Sequence, residues 1–481
     1  MRVLLLTNNV GKIFDALDVG LDWWLDILDN TITSTAADFI AVHLQELGGS
    51  AFVEGTATME SIKAFGEAVR RRFPDYWSSG LFAPSLLDVD FTALGCIVLV
   101  RRSLTKDVAV FDFGAGDGSG GWIPLSTLDD PLLADPALPA RWSRHSSFSR
   151  DLFDELESTW TRKGWLHSRW RVDRQPVDLL NVHLFDDVDQ LKALRRGASA
   201  LSPYAIRRHE ALRLALQMLT GAGPAPAALG PLPPATFVFG DLNWRLDLRC
   251  VLSQLAGESI VASILSATGP GPSAGHQIAV PIQTAEALDA AAGGGAASNH
   301  CLSAWVELIT QCRCLAFGPP QRAIVEARRF WMDDNAVFAR RPSTFRGCDL
   351  ELAASRKLAP ALEELDIAFP PTFSYSVGRD PGDRSAARAT YDGKCCPSWC
   401  DRVLLDAIGM RLVRAASDVA YDVVHEQLRH SEAMNDHQMV HLVFTLAPSA
   451  SLGMEPTPVH VKADVAAPVP IKVKCIAVGV G

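Results

Sequence analysis

No stretch of about 18 or more consecutive apolar residues occurs in the chain, so no part of it has the length and polarity to cross a bilayer as a helix. The apolar start, residues 1–6, is too short for the core of a secretory leader. Cysteine is sparse and scattered, ten in 481 residues, and forms no secreted-type framework. A reducing, cytoplasmic setting is the expectation. Cys312 and Cys314 lie close together, as do Cys395, Cys396 and Cys400, but neither group has the paired spacing of a zinc ribbon or finger, so no structural zinc is expected. The glycine-rich stretch 114–121 lacks the lysine and the strand–turn–helix setting of a nucleotide-binding loop and reads as a surface loop. Excess positive charge is missing too. At a formal net charge of −10 the protein does not draw nucleic acid or an anionic membrane by its overall field. An anionic substrate would need local arginines, lysines or a metal. No internal repeat of solenoid length is found.

What is present is the balance of a packed globular protein, 48% hydrophobic and 21% charged. The length would suit two or three average domains, yet large α/β enzymes often fill it with one core and its insertions. One domain over 1–447 is expected, with insertions near 221–235 and 263–298 and a tail over 448–481, because these stretches lack a helix or strand period that could bury a face. Amphipathic spacing predicts a helix over 206–219 and another over 355–365, the latter interrupted by Pro360. The run Arg70, Arg71 and Arg72 reads as a solvated helix face before a proline turn.

The informative pattern lies in the strands. Four short apolar runs end in polar residues: VLLLTNN (3–9), FIAVHLQE (39–46), VDLLNVHL (177–184) and TFVFGDLN (236–243). Two others invert the order, WCDRVLL (399–405) and NDHQMVHLVFTL (435–446). If the inverted pair runs antiparallel to the other four, all six polar ends reach one edge of one or two packed sheets. Asn9, Gln45, Glu46, His183, Asp241, Asn243, Asp401, Arg402, Asp436 and His437 would gather there.

Asn9 with Glu46 offers oxygen donors without clustered cysteine or histidine, which suits a hard cation that keeps several waters; magnesium fits better than zinc. Such an ion can polarise a phosphoryl oxygen, and a phosphate ester is the natural substrate. Asp241 and Asn243 stand two apart, so in an extended segment they point to the same side. The carboxylate can take a proton from an attacking water while the amide donates to the phosphoryl oxygen. His437, with Asp436 beside it and Asp401 as a candidate to orient it, is expected to hold the scissile phosphate.

The segments FGDLNWRLD (239–247) and CPSWCDRVLL (396–405) resemble the two signature motifs of the inositol polyphosphate 5-phosphatases, and the type I branch is the nearest. Further matching segments are TNNVGKIFD (7–15), FIAVHLQELGG (39–49), TRKGWLHSRW (161–170), DLLNVHLF (178–185), RHEAL (208–212) and ELDIAFPPTFSYS (364–376). The resemblance implies a four-layer α/β sandwich of the DNase-I-like endonuclease/exonuclease/phosphatase superfamily, two mixed sheets with flanking helices. It implies Mg²⁺-dependent removal of the 5-phosphate from inositol 1,4,5-trisphosphate and inositol 1,3,4,5-tetrakisphosphate, which terminates calcium signalling. By position it makes Asn9 and Glu46 metal ligands and Asp241 the base. Asn243 and His183 become phosphate donors, and Asp401 with His437 the terminal pair. Lys163, Arg208, Lys394 and Arg402 become substrate-binding cations, although an arginine beside a buried aspartate, as Arg402 is, can serve only to satisfy it.

The chain departs from the family pattern in two places. Lys394 is followed by Cys395 and Cys396 where a basic residue usually precedes the second signature, and Gln438 and Met439 replace the basic residue and proline after the terminal Asp–His. Cys475 does not meet the C-a-a-X rule at the terminus, so no prenyl anchor is expected. Three alternatives stand beside the main reading: a phosphoinositide lipid 5-phosphatase, a nuclease, and a catalytically impaired scaffold. The lipid reading wants a basic or apolar rim and the nuclease a basic stripe, neither favoured by the acidic balance. A cytoplasmic monomer acting on soluble inositol polyphosphates, and transiently on membrane headgroups, is the expectation.

Overall fold

The computed structural model describes residues 1–49, 56–82, 92–114, 120–129, 141–148, 162–194, 201–221, 232–268, 278–281, 322–326, 328–332, 335–377, 391–424 and 435–446. The strands in chain order begin with β1 (Arg2–Asn9), β2 (Phe39–Gln45), β3 (Tyr76–Phe82) and β4 (Gly95–Arg101). They continue with β5 (Val108–Asp112), β6 (Gly121–Pro124), β7 (Ser143–Ser147), β8 (Gly164–Val172), β9 (Gln175–His183) and β10 (Ala235–Asp241). The last six are β11 (Ile278–Pro281), β12 (Arg322–Glu326), β13 (Arg329–Met332), β14 (Asp401–Leu405), β15 (Ala420–Val423) and β16 (Val440–Thr445).

Two large mixed sheets carry the fold. One has six strands in the order β15-β16-β1-β2-β4-β3, the other the path β14-β10-β9-β8-β5-β6 with β7 paired to β8. β1 runs parallel to β2 and β9 parallel to β10, whereas the inverted runs β16 and β14 pair antiparallel to β1 and β10. All six polar ends therefore point the same way, as the strand pattern requires.

The central strands β1, β2, β4, β9, β10 and β14 are buried on both faces, which explains their near-continuous apolar runs. Between the sheets Leu5, Phe39, Ala41 and Val98 meet Leu166, Leu179, Phe237 and Val403. On the outer face of the first sheet Leu4, Leu6, Ile40 and Val42 pack against Trp24, Leu28 and Ile32 of the helix Leu17–Thr35 and Phe65 and Val69 of the helix Thr56–Arg72. On the outer face of the second, Leu180, Val182, Val238 and Leu404 pack against Ala211, Leu212 and Leu216 of the helix Pro203–Gly221. The layers are thus helix, sheet, sheet, helix, the expected four-layer α/β sandwich.

Arg70, Arg71 and Arg72 are exposed at the end of their helix, with Arg72 bridging to Asp26 and Asp29 of the neighbouring helix. The expected helix over 206–219 is present. The expected helix over 355–365 is not: a helix occupies Leu350–Ser355, and the following segment extends so that Glu363 pairs with Leu405 through both backbone bonds. Pro360 has no N–H to continue a helix, and the segment instead caps the open edge of β14.

Of the stretch 263–298 the structure describes residues 263–268 and 278–281, and both parts are regular. The helix Glu258–Thr268 runs into it and β11 lies within it, pairing with β12 and β13 in a small third sheet. Val261, Ile278, Val325 and Phe330 supply that sheet's buried face, a pattern too short to be read as a period. Residues 222–231, most of 269–298, Cys312, Cys314 and the tail lie outside the described residues, as do residues 115–119 of the glycine-rich loop. Cys250 and Cys348, 98 residues apart, are joined in a disulfide that their spacing did not announce.

Candidate active site

Strand register builds the site. Asp241, the last residue of β10, is paired with His183 of β9 on one side and Asp401 of β14 on the other. A glycine is required just before it: a Cβ at Gly240 would sit 2.1 Å from the Val182 carbonyl oxygen. Across the gap between the sheets, Asn9 at the end of β1 donates from Nδ2 to Asp241 Oδ2 at 3.1 Å. The sheets are held in this alignment by buried polar groups just below the edge. Gln45 Nε2 donates to Asn181 Oδ1 at 2.8 Å, and His43, stacked on Phe239 at 3.5 Å, bonds that residue's carbonyl. Burial pushes His43 down to about 3, so it bonds as a neutral imidazole. Gln45 is therefore a tie between sheets and not a member of the site.

His437 lies over this row. Its Nδ1 is 2.9 Å from Asp401 Oδ2, its Nε2 is 3.8 Å from Asp241 Oδ2, and its ring stacks on Phe373 at 4.2 Å. Burial disfavours the imidazolium, but the Asp401 and Asp241 carboxylates outweigh it and raise His437 to about 9. Burial raises Asp401 to about 6 against the pull of His437. Asp241 moves the other way: burial is overcome by His437, His183 and Lys163, which hold its carboxyl far below the usual range. His183 is lowered by burial and by Lys163, whose Nζ is 2.7 Å from His183 Nε2. Since an ammonium only donates, that imidazole nitrogen accepts.

Glu46 follows β2 with φ of 57°. Its Oε2 takes a bond from Arg162 Nη1 at 3.0 Å, and its Oε1 is 3.9 Å from His183 Nε2. A Cβ at Gly11 would lie 2.6 Å from Glu46 Oε2 and 3.4 Å from Asn9 Oδ1. Gly11 thus keeps open a space bordered by two oxygens, and with Asp241 beside Asn9 this donor set fits a hard, oxygen-loving cation. Asp241, Asp401 and His437 also bring ligand-type atoms within 4.8 Å of one another. There His437 Nδ1 is bonded to Asp401, which orients the ring.

The expected cations divide. Lys163 is at the site, on His183. Lys394 is at its rim, 58% exposed and shared between Asp392 at 2.9 Å and Asp436 at 3.4 Å. Arg402 is not at the site. Neighbours along a strand face opposite ways, so with Asp401 turned to His437 the Arg402 side chain goes to Asp349 at 2.7 Å and Glu364 at 2.9 Å, over the Trp244 ring. Arg208 is likewise consumed: fully buried, it forks onto Glu351 at 2.6 and 3.0 Å and meets Asp187 at 2.5 Å. Neither arginine has capacity left for substrate.

No protein-family model matches the chain. Among curated proteins it is similar to inositol polyphosphate-5-phosphatase A of Rattus norvegicus, 27% identical over 466 residues that cover 93% of this chain and 94% of the rat protein. It is similar, too, to the probable type I inositol 1,4,5-trisphosphate 5-phosphatase of Caenorhabditis elegans, 25% identical over 461 residues, 93% of this chain and 100% of the other. Over nearly its whole length the chain is thus similar to inositol polyphosphate 5-phosphatases. Of solved structures, the inositol polyphosphate 5-phosphatase domain of SPsynaptojanin in complex with inositol (1,4)-bisphosphate and calcium ion aligns over 92% of this chain and 83% of that one, at 12% identity and a TM-score of 0.43.

Two residues beside the site were missed in the sequence although both stand inside segments quoted above. Arg162, in TRKGWLHSRW, holds Glu46 and also donates to the Gly49 carbonyl at 2.9 Å. Arg245, in FGDLNWRLD, donates from Nη2 to Asn243 Oδ1 at 2.8 Å. Each adjoins a residue that drew the attention, and only the fold says which neighbour turns toward the site.

Proposed function

We propose that this protein hydrolyses the 5-phosphate of soluble inositol polyphosphates, inositol 1,4,5-trisphosphate and inositol 1,3,4,5-tetrakisphosphate, with Mg²⁺ bound by Glu46 and Asn9, and so ends a calcium signal in the cytoplasm. The observation that carries the reading is the row His183–Asp241–Asp401 with His437 above it and Asn9 reaching in from the other sheet. It combines an ionised carboxylate, a charged imidazole and an oxygen-lined space within one buried edge.

The roles follow from the charge states. Asp241 is a carboxylate at neutral pH and orients the attacking water, accepting its proton as the new P–O bond forms and the bond from phosphorus to the inositol 5-oxygen breaks, the leaving oxygen taking a proton from water. His437, held as imidazolium by Asp401, donates a charge-assisted hydrogen bond to a phosphoryl oxygen. Asn243 adds an amide donor. Lys163 turns from His183 Nε2 to the phosphate, and Nε2 donates as well once it takes up a proton or the imidazole changes tautomer. A bound Mg²⁺ would neutralise charge on the phosphoryl and leaving oxygens. Lys394 at the rim is the cation open to a further phosphate of the substrate. On the same reading residues 1–447 form one catalytic domain.

The test is phosphate release by the purified protein from inositol 1,4,5-trisphosphate with Mg²⁺, with and without EDTA, and identification of the product isomer. The expected result is metal-dependent formation of the 1,4-bisphosphate, with phosphoinositide vesicles and DNA turned over far more slowly. Absence of turnover on every one of these substrates would remove the catalytic reading and favour a scaffold.

A further inference from the structure

The buried and half-buried arginines near the site are partnered differently, and Arg162 is taken by Glu46. Arg402 and Arg208 each meet two carboxylates. Arg245 forms no ion pair among the described residues. Its guanidinium lies over the Phe373 ring at 4.7 Å, Nη1 donates to Cys395 Sγ at 3.2 Å, Nη2 donates to Asn243 Oδ1 at 2.8 Å, and its Nε is buried without a hydrogen-bond partner. A half-buried cation left without a carboxylate costs free energy, and its one strong acceptor is the side chain of a proposed phosphate donor.

We infer that Arg245 is a positioning residue for the reaction proposed above, on which this inference rests: it fixes the orientation of the Asn243 amide. A guanidinium only donates, so the atom facing it must be the amide oxygen. That places Nδ2 on the other side, where one of its hydrogens goes to the Leu184 carbonyl at 3.0 Å and the second is left for a phosphoryl oxygen. With the amide flipped, its nitrogen would face the cation and its oxygen the carbonyl, and nothing would be donated to substrate. The backbone is committed to the same end. Asn243 has φ of 51°, in the left-handed region, and its N–H is held by Asp241 Oδ1 at 2.9 Å. Phe373, which stacks on His437, is the platform under Arg245. The two phosphate donors therefore share one support.

A double-mutant cycle tests this: wild type, Asn243→Ala, Arg245→Ala and the pair, with thermal melting of each and Arg245→Lys as a second, charge-retaining variant. Arg245→Ala breaks no ion pair, so the fold is expected to survive. Its kcat should fall about a hundredfold with KM nearly unchanged, because misplacing one preorganised donor costs that order of rate. Arg245→Lys should be similarly slow, a point charge being unable to hold the planar amide as the fork does. In the Asn243→Ala background the loss of Arg245 should change kcat by no more than about twofold. Losses that multiply, or a raised KM at wild-type kcat, would mean that Arg245 acts on substrate itself and would overturn the inference. A second readout needs no activity. With selective ¹⁵N-asparagine labelling, the side-chain amide signal that vanishes in Asn243→Ala should shift in Arg245→Ala, and an unmoved signal would overturn the inference even were the wild type inert on every inositol phosphate.

Discussion

The carboxylates at the strand ends and those around Arg402 and Arg208 are buried alike, yet they are paired in opposite ways. Asp349, Glu364, Glu351 and Asp187 each find a guanidinium within 3.0 Å, and the charges cancel in place. Asp241 has no such partner. It is surrounded by His183 at 3.3 Å, His437 at 3.8 Å and the Asn9 amide, groups that can exchange protons or hydrogen bonds with a ligand. A cancelled buried pair serves the architecture, since removing either member strands a charge. An incompletely cancelled one serves chemistry, since a substrate and a cation can complete it.

That contrast can be broken by exchanging the effects. Arg402→Ala should cost about 3–5 kcal/mol of stability, because it leaves Asp349 and Glu364 buried and unpaired; urea unfolding measures it, and a variant as stable as wild type would mean that the pairs are not what holds this corner. His437→Gln should lower kcat by about a hundredfold, as expected for loss of one charge-assisted donor, and should also lower the melting temperature below pH 6.5, because the raised imidazolium stabilises the fold and Asp401 loses its partner. A smaller effect is expected from pH. His437 is raised to about 9 from an ordinary 6.5, so the folded state binds this proton more tightly than the unfolded chain. Its stabilisation is complete below about 6.5 and disappears as pH rises through about 9. Activity should fall on the same alkaline limb, and also on an acid limb as Asp401, raised to about 6, takes up a proton and ceases to support the imidazolium. An Asp401→Asn variant that kept the alkaline limb in place would contradict this coupling. Least of all, Lys394→Ala should change stability by no more than about 1 kcal/mol, because an exposed pair is screened by solvent. It should raise KM several-fold without touching kcat.

The same contrast explains what the sequence disclosed. The strands and their shared direction were legible because buried strands read as apolar runs and their polar ends stood out against them; Asp241, His183, Asp401 and His437 followed directly. Arg208 did not separate from Lys163 in the sequence, and Arg402 did so only through the aspartate beside it, because a cation's partners come from segments far along the chain: Asp349 and Glu364 for Arg402, Asp187 and Glu351 for Arg208. The helix expected over 355–365 failed for a related reason. Its apolar spacing was right for a helix, but Leu362 and Glu363 were needed as a cover for the edge of β14, a demand set by tertiary structure. Arg162 and Arg245 were hidden by their more conspicuous neighbours Lys163 and Asn243.

The most direct measurement is the initial rate of phosphate release from inositol 1,4,5-trisphosphate by wild type and Asp241→Asn, each with its melting temperature. The substitution removes the charge and keeps the shape. A rate lower by about a thousandfold, in a protein that still melts well above the assay temperature, is the predicted result. A rate within a few-fold of wild type, or a loss of rate matched by a loss of folding, would contradict the assignment of chemistry to the strand-end carboxylate.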